Sequence, residues 1–562
     1  MIKKWECNKI SDEKINEFSE KNNVSPLLSK VMISRGFADS VSVEKFLHPK
    51  LEELYDPFLI NDMDTAVNRI IEACERKEKV TIYGDYDVDG ITSIAVLKSF
   101  LLEQGMNVEH YLPSRLEEGY GLNNDAIKKI YEQGTKLLIT VDCGISAYNE
   151  VEYANELGIE VIVTDHHECP EKLPNAVAVL DPKREDSTYP FSSLAGVGVS
   201  FKLIQAISYR LNLDRKKYLK YLDVVCLGTV ADIVPLLDEN RIIVNYGLIL
   251  MRQTKKVGLQ ELIIASGYNK IDSTTISFGL APRLNACGRM GKADLALELI
   301  LTTDRKIAHK IALELNEINK ERQEVEKKII NEAIEIIEKD RLYENEIIVV
   351  NSENWHHGVI GIVASKITET YYKPSILICV ENGKGKGSGR SIEGFDLHGA
   401  LSKCDDLLDK FGGHEMAIGL SIDEENLDSL KRRLLEIAKE SNIEEMQPVI
   451  KIDAEITSDD ISFNTIKELE ELEPFGEGNP SPIFMYRNLK VDSVRALSNA
   501  KHLRLVLKDN NFRYDAIAFN MGEKRHSIDI GNKVDIAHSL EINHFNNTDK
   551  IQFNLKDIKK SL

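Results

Sequence analysis

What this chain has little of narrows its class before any motif is read. Its eight cysteines (Cys7, Cys74, Cys143, Cys169, Cys226, Cys287, Cys379 and Cys404) never stand at CxxC spacing. That argues against a zinc ribbon and predicts scattered, reduced thiols. No run approaches the ~18–20 consecutive apolar residues of a membrane helix, and the opening MIKKWECNKI lacks the apolar core of a signal peptide. The expectation is a cytoplasmic protein. Low-complexity tracts, short-period repeats and Pro/Ser-rich linkers are missing too, so structured connectors must join the domains. Positive charge is in deficit: 71 Lys and Arg face 91 Asp and Glu, leaving −20. This is the wrong sign for coating duplex DNA through the whole surface. By itself the charge favours some other partner. A nucleic-acid enzyme with this balance needs a local basic groove and metal ions to offset its own carboxylates.

What is present is a multi-domain globular chain. At 562 residues, 43% hydrophobic and 29% charged, it exceeds one hydrophobic core, and three to four domains are expected. Residues 1–70 read as mostly helical, a cap preceding a sheet. From Val80 short β-branched runs (VTIY, VEHYL, LLITV, EVIVTD) alternate with amphipathic stretches, one of them capped by Asn123. This is the pattern of βαβ units around a parallel sheet, here 71–245. A linking segment, 246–344, ends in a charged helical pattern from Asp304 to Glu344 with Ile307, Ile311, Leu315 and Ile318, then Val325, Ile329, Ala333 and Ile337, in register. It reads as a connector helix; a coiled-coil seam is the alternative. A second α/β domain follows over 345–441. Five or six short strands then suggest an OB-type barrel over 447–562.

The chemistry gathers at strand ends. YGDYDVDG (83–90) sets Asp85, Asp87 and Asp89 at alternating positions after the first strand, and residues at i and i+2 of an extended segment share a face. Such a cluster is electrostatically costly unless a hard divalent cation relieves it. An Asp-rich turn is the plain alternative. The motif also resembles a calcium-loop fragment, but Val96 stands where that loop needs its closing Glu. LLITVDCG adds Asp142 after a strand, and VIVTDHH adds Asp165, His166 and His167 after the next. In open parallel sheets ligands gather outside the carboxyl ends of the strands. Asp232, in GTVADIVPL, lies in an otherwise apolar stretch. Alone it would read as a helix cap, but beside the other three sites it reads as a ligand. Mixed Asp/His donors suit Mn²⁺ and related ions, and two metals sharing an Asp suit phosphoester hydrolysis.

At these residues the chain resembles the DHH phosphoesterase superfamily, named for the Asp-His-His seen at 165–167. The resemblance implies Asp87 and Asp142 as ligands of one Mn²⁺ (or Mg²⁺) and Asp89, Asp142, His166 and Asp232 as ligands of a second. It implies His167 against the scissile phosphate. One departure is Tyr83, where many members carry histidine, and it weakens the expected first metal site.

The second domain extends the resemblance. GKGKGSGRS (383–391) reads as a Gly-rich loop with Lys384, Lys386 and Arg390, able to cradle phosphate oxygens; such a loop is otherwise merely solvated. With HHGVIGIVA (356–364), FGGHEMAIG (411–419, carrying His414) and PFGEGNPSP (474–482), the whole chain is similar to RecJ-type exonucleases with DHH, DHHA1 and OB-type domains. That implies a 5′→3′ exonuclease degrading single-stranded DNA to mononucleotides, in recombination and repair. It also implies a 5′-phosphate pocket at Arg115, Ser388 and Arg390, and DNA-backbone contacts at Arg283, Asn285, Arg289 and His414. Surface ion pairing is the alternative for Arg283 and Arg289. Arg504, Phe512, Arg513 and Tyr514 would form a single-strand platform on the barrel, or ordinary strand faces. Single-strand-binding protein and a helicase are implied as partners, though no residue reads as their docking site. The rival readings are a DHH phosphodiesterase for short oligoribonucleotides or cyclic dinucleotides, a pyrophosphatase, and a catalytically inactive replication scaffold of the same fold.

Overall fold

Val80, Ile82 and Tyr83 are fully buried, so the strand Lys79–Gly84 is covered on both faces, as a central parallel strand must be. In the computed structural model, which describes residues 3–561 except Leu116, Asn442, Glu444, Glu445, Asn499, Asn546 and Asn547, this strand lies second in a five-stranded parallel sheet. The order is Asn107–Tyr111, Lys79–Gly84, Leu137–Val141, Glu160–Thr164, Ala178–Leu180. Helices Asn124–Glu132 and Tyr148–Glu156 pack one face. On the other, Val88–Glu103 packs with Gly196–Arg210 and Leu222–Ala231. Asn123 caps the first of these helices, accepting the Ala126 N–H at 2.8 Å, as its side chain predicts.

The connector is a single helix, Arg305–Lys339. Most of its apolar stripe is spent inside the chain, with Ile307 left exposed. Leu315 and Ile318 are buried where helices Val257–Ser266 and Ala281–Arg289 pack on it, and Ile329, Ala333 and Ile337 enter the core of the second α/β domain. Among the described residues this leaves no continuous apolar seam for the coiled-coil alternative. That second domain carries a mixed sheet in the order Lys410–His414, Ala417–Asp423, Lys384–Arg390, Ser375–Glu381, Ile348–Ser352.

GKGKGSGRS is therefore mostly a strand, not a loop. A Cβ on Gly385, Gly387 or Gly389 would lie within 3 Å of Ile378, Ile418, Ile422, Leu397 or Leu420. The glycines let the strand press onto an aliphatic core, while Lys384, Lys386, Ser388 and Arg390 alternate to the other face.

The chain divides into two compact units: Tyr55–Val234 with Tyr246–Met446, and Met1–Leu54 with Pro235–Asn245 and Gln447–Leu562. The second holds a closed five-stranded barrel, Phe484–Leu497, His502–Lys508, Arg513–Ala518, Thr548–Lys560 and Lys533–Phe545, the last pairing back to the first. The first N-terminal helices, expected as a cap preceding the parallel sheet, belong to the barrel's unit. Phe18, Leu27, Leu28, Val31, Met32, Val43 and Phe46 share one core with the barrel's Phe484, Leu505 and Phe553. Within the other unit, the later helix Met63–Glu75 packs against Ala178–Leu180. Local amphipathicity shows that a helix has an apolar face, but not which distant surface covers it.

Within this unit Arg241 is 2% exposed. It donates to the carbonyl oxygens of Phe46, Leu472, Glu471 and Glu473 at 2.6–3.2 Å, with its guanidinium 3.7 Å over the Phe46 ring.

His538 is fully buried in the barrel, 4.2 Å from the Phe553 ring, with Nε2 unbonded. Burial pushes its pKa down to about 3. The ring is then neutral in the folded barrel, whereas the unfolded chain takes up a proton below about 6.5. Stability is full above pH 6.5 and is lost as pH falls toward 3, by about 1.4 kcal/mol per unit from this group. In a Trp355→Phe background, with Trp5 as the probe, His538→Leu should flatten the acid slope by that amount. Equal slopes would show the ring to be no buried base.

Candidate metal and phosphate site

Three consecutive parallel strands end in acids because each chain leaves the sheet at the same rim. Asp87 caps the helix Val88–Glu103, its Oδ1 accepting the Asp89 and Gly90 N–H groups at 2.9 and 3.1 Å. Gly90 is required: a Cβ there would lie 2.4 Å from the Asp85 carbonyl oxygen. Asp89 is 1% exposed and accepts the Gly196 and Val197 N–H groups at 2.7 and 2.8 Å, the start of another helix. Asp142 sits at φ 59°, a left-handed conformation that costs a non-glycine residue about 1–2 kcal/mol and clusters at functional sites.

These elements converge. His166 Nε2 lies 3.1 Å from Asp142, 3.7 Å from Asp232 and 3.8 Å from Asp89, yet it is buried without a hydrogen-bond partner. Asp89, His166 and Asp232 place one donor atom each within 4.8 Å of one another. So do Asp142, His166 and His167, and so do Asp85, Asp87 and Asp142. Donors about 2.1 Å from one small cation stand at most about 4.2 Å apart, and His166 Nε2 lies inside that limit from Asp142, Asp232 and Asp89. Asp85 Oδ1 is likewise buried and unbonded. The donor set and its orphaned atoms fit divalent cations.

The electrostatics agree. Burial, then the Asp87 charge, pushes Asp89 up to about 7. Burial, then Asp89 and Asp87, pushes Asp232 up to about 9. Asp142 and Asp85 are raised well above the carboxylate range, chiefly by burial and then by neighbouring acids. Burial and His167 push His166 down to about 3, leaving its imidazole neutral and able to donate a lone pair.

Asp165 is fully used otherwise. It accepts the His166 N–H at 2.8 Å, the Ile145 N–H at 2.9 Å and His167 Nδ1 at 2.7 Å. Burial alone would raise this carboxyl, but the His167 bond and charge hold it low. Burial opposes the His167 imidazolium, and the Asp165 bond outweighs it and raises the pKa.

Two expectations change here. Tyr83 does not occupy a ligand position: it is fully buried, donates its hydroxyl to the Gly121 carbonyl at 2.9 Å and stacks on Tyr111. Asp85, passed over among the expected ligands, joins Asp87 and Asp142 instead. Its i, i+2 relation to Asp87 was the available signal.

The cationic side lies in the same unit. Arg115 stands 5.0 Å over the Tyr86 ring. Arg390 bonds Ser388 Oγ at 3.2 Å and the Gly389 carbonyl at 2.7 Å, and Arg289 donates to the Gly358 carbonyl at 3.1 Å. Among the described residues none of these three arginines has a carboxylate partner. Burial, then Arg115, Arg322 and Arg390, pushes Arg289 down to about 10; burial and Arg115 lower Arg390. His414 is exposed and lies in register with Ala417, which pairs with Arg390.

Other candidates are spent elsewhere. Arg283 is held by the Gly279 and Ser266 carbonyls and by Asn316. Asn285 accepts the Val88 N–H at 3.2 Å, steadying the Asp-rich turn. Lys384 pairs with Asp409 and Asp423. On the barrel, Tyr514 is buried and bonded to Asp509, Arg504 pairs with Asp515 and Arg513 with Asp492, while Phe512 remains exposed.

The family models for the DHH family N-terminal domain, the DHHA1 domain and the RecJ OB domain match residues 79–229, 344–440 and 452–557. The single-stranded-DNA-specific exonuclease RecJ of Bacillus subtilis is 40% identical over 99% of this chain and 70% of its own length. The chain belongs to the RecJ family. The Haemophilus influenzae RecJ is 34% identical, covering 94% of this chain and 96% of its own. The RecJ crystal structure from Thermus thermophilus in complex with Mn²⁺ superposes with a TM-score of 0.85 at 29% identity, covering all of this chain and 80% of that one. Among the described residues no helix is long and apolar enough to cross a membrane.

A cluster of buried acids that repel one another should melt more easily without a counterion. In chelator, Asp142→Asn should raise the melting temperature by a few degrees, asparagine tolerating the left-handed backbone. Added Mn²⁺ should stabilise the native protein, by about 2.7 kcal/mol at a hundred times its Kd, and the variant far less. An unchanged melting curve for the variant in both conditions would dissolve the proposed cluster.

Proposed function

We propose that this chain is a metal-dependent exonuclease that degrades single-stranded DNA from the 5′ end to mononucleotides, in DNA recombination and repair. The observation that carries it is the pairing, within one unit, of an Asp/His cluster holding orphaned donor atoms with three arginines that lack a carboxylate. The second set suits an anion that the first set cannot itself supply. Asp85, Asp87 and Asp142 would hold one Mn²⁺ or Mg²⁺, and Asp89, Asp142, His166 and Asp232 a second, with Asp142 shared. When bound, such a pair supplies Lewis acidity that lowers the pKa of an attacking water and offsets charge on the scissile phosphate.

The remaining work falls to the chain. His167, whose protonated form the Asp165 bond favours, offers its other ring nitrogen to a non-bridging phosphate oxygen. Arg115, Arg390 and Ser388 receive the terminal 5′-phosphate, and Arg289 the strand between. A pocket for a chain end favours cutting from that end, because internal phosphates carry one charge fewer and continue into further nucleotide. The Mn²⁺-bound relative supports the choice of ion, and the RecJ OB match supports a barrel that holds single strands. Such a barrel has no task on a dinucleotide. Action in the cytoplasm, beside single-strand-binding protein and a helicase, completes the reading.

Asp142→Asn and His166→Ala should each lower Mn²⁺-dependent release of mononucleotides from end-labelled single strands by at least about a thousandfold, with circular dichroism unchanged. Substantial residual turnover in a folded variant would sink the two-metal assignment. Native protein should also prefer 5′-phosphate over 5′-hydroxyl ends. Arg390→Ala should remove most of that preference, about 1.5–3 kcal/mol for a charged hydrogen bond, while cutting 5′-hydroxyl strands at a similar rate. A retained preference would mean that the pocket lies elsewhere.

A further inference from the structure

Tyr120 lies on the loop between the strand Asn107–Tyr111 and the helix Asn124–Glu132, five residues beyond Arg115. Its hydroxyl donates to the Asp142 carbonyl at 3.4 Å and lies 3.3 Å from His167 Nδ1. Its ring meets the His167 ring edge-on, with centroids 5.8 Å apart and planes at 70°. The tip is therefore fixed in the candidate catalytic cluster, yet the residue is 52% exposed. Tyr83 and Tyr86, the tyrosines of the neighbouring Asp-rich segment, are 0% and 8% exposed. Gly119 and Gly121 flank Tyr120 at φ 83° and 87°, each with open space where a side chain would stand. These glycines serve the turn rather than packing: two left-handed residues lift the ring out of the loop. A large aromatic face held open to solvent, with its polar end tied down, is pre-organised to take a flat partner at little entropic cost.

We propose that Tyr120 is the stacking platform for the base of the 5′-terminal nucleotide, a role that rests on the exonuclease reading above. One loop carries Arg115 to the terminal-phosphate pocket and Tyr120 to the residues around the scissile phosphate. The segment between those two phosphates is a single nucleoside, and Tyr120 is the exposed ring at its cluster end. A ring face reads no sequence, since every base has a π-face, and stacking on an aromatic changes affinity by about five- to a hundredfold per base. The hydroxyl does a separate job, steadying the His167 ring.

The test uses the full chain and 5′-phosphorylated single strands with a phosphorothioate between the first two nucleotides to slow cleavage. The 5′-terminal base is 2-aminopurine, whose fluorescence falls on stacking, or is removed to leave an abasic site. Native protein should quench the fluorescence and bind the abasic strand about tenfold more weakly. Tyr120→Phe should keep both properties and lower kcat on cleavable strands. Tyr120→Leu should lose the quenching and bind base-bearing and abasic strands alike. If native protein cuts single strands and Tyr120→Leu still quenches and discriminates, the platform is overturned while the exonuclease reading stands. If native protein neither binds nor cuts single strands, that reading falls and the platform with it.

Discussion

Five carboxyl groups crowd the rim of the parallel sheet around one neutral imidazole, and their mutual repulsion is the term that the surrounding structure is arranged to bear. Water screens three of them poorly, because Asp85, Asp89 and Asp142 are each under 5% exposed. The chain meets the cost locally. The start of the helix Gly196–Arg210 donates two N–H groups to Asp89, and Asn285 steadies the turn that carries Asp87. Gly196 has no Cβ because one would stand 2.7 Å from the Asp142 Cβ. What these devices leave uncompensated is negative charge, and this is where a divalent cation belongs.

The acids themselves were legible in the sequence because strand ends in a parallel sheet share a rim, so alternation of strands and helices is enough to bring Asp142 and Asp165 near Asp87. The helical connector and the barrel were legible for the same local reasons of period and length. The errors came where a residue's meaning depends on distant partners. Glycines in GKGKGSGRS signal a loop by local rules, but against Ile378 and Leu420 they signal a tightly packed strand. The helices of the first 54 residues carry an apolar face that fits either a sheet or a barrel, and only the tertiary structure chooses. Tyr83 looked like a replaced ligand by position, yet its hydroxyl points to Gly121.

Arginine shows the same dependence on context most sharply. Arg241 and Arg283 spend their guanidinium protons on backbone carbonyls and, for Arg283, on Asn316, which binds segments of chain together and leaves nothing for a ligand. Arg115, Arg289 and Arg390 keep charge uncompensated and repel one another. Strong net negative charge on the whole molecule is no obstacle to binding DNA in such a place, because at physiological salt the field of distant acids is screened within about 8 Å. The same net charge disfavours indiscriminate adhesion to nucleic acid over the rest of the surface.

The barrel's core is assembled from three stretches of chain, Met1–Leu54, Pro235–Asn245 and Gln447–Leu562. On the ribosome the first stretch emerges nearly four hundred residues before the last. At about 5–20 residues per second, its helices wait on the order of 20–80 s with Leu27, Leu28, Val31 and Met32 uncovered, while the catalytic segments emerge and have time to fold. A nascent chain of this protein therefore carries the apolar surface of residues 1–54 uncovered until residues 447–562 have been made. The demand for a chaperone's shelter is set there by the order of the segments along the gene rather than by the stability of the finished barrel.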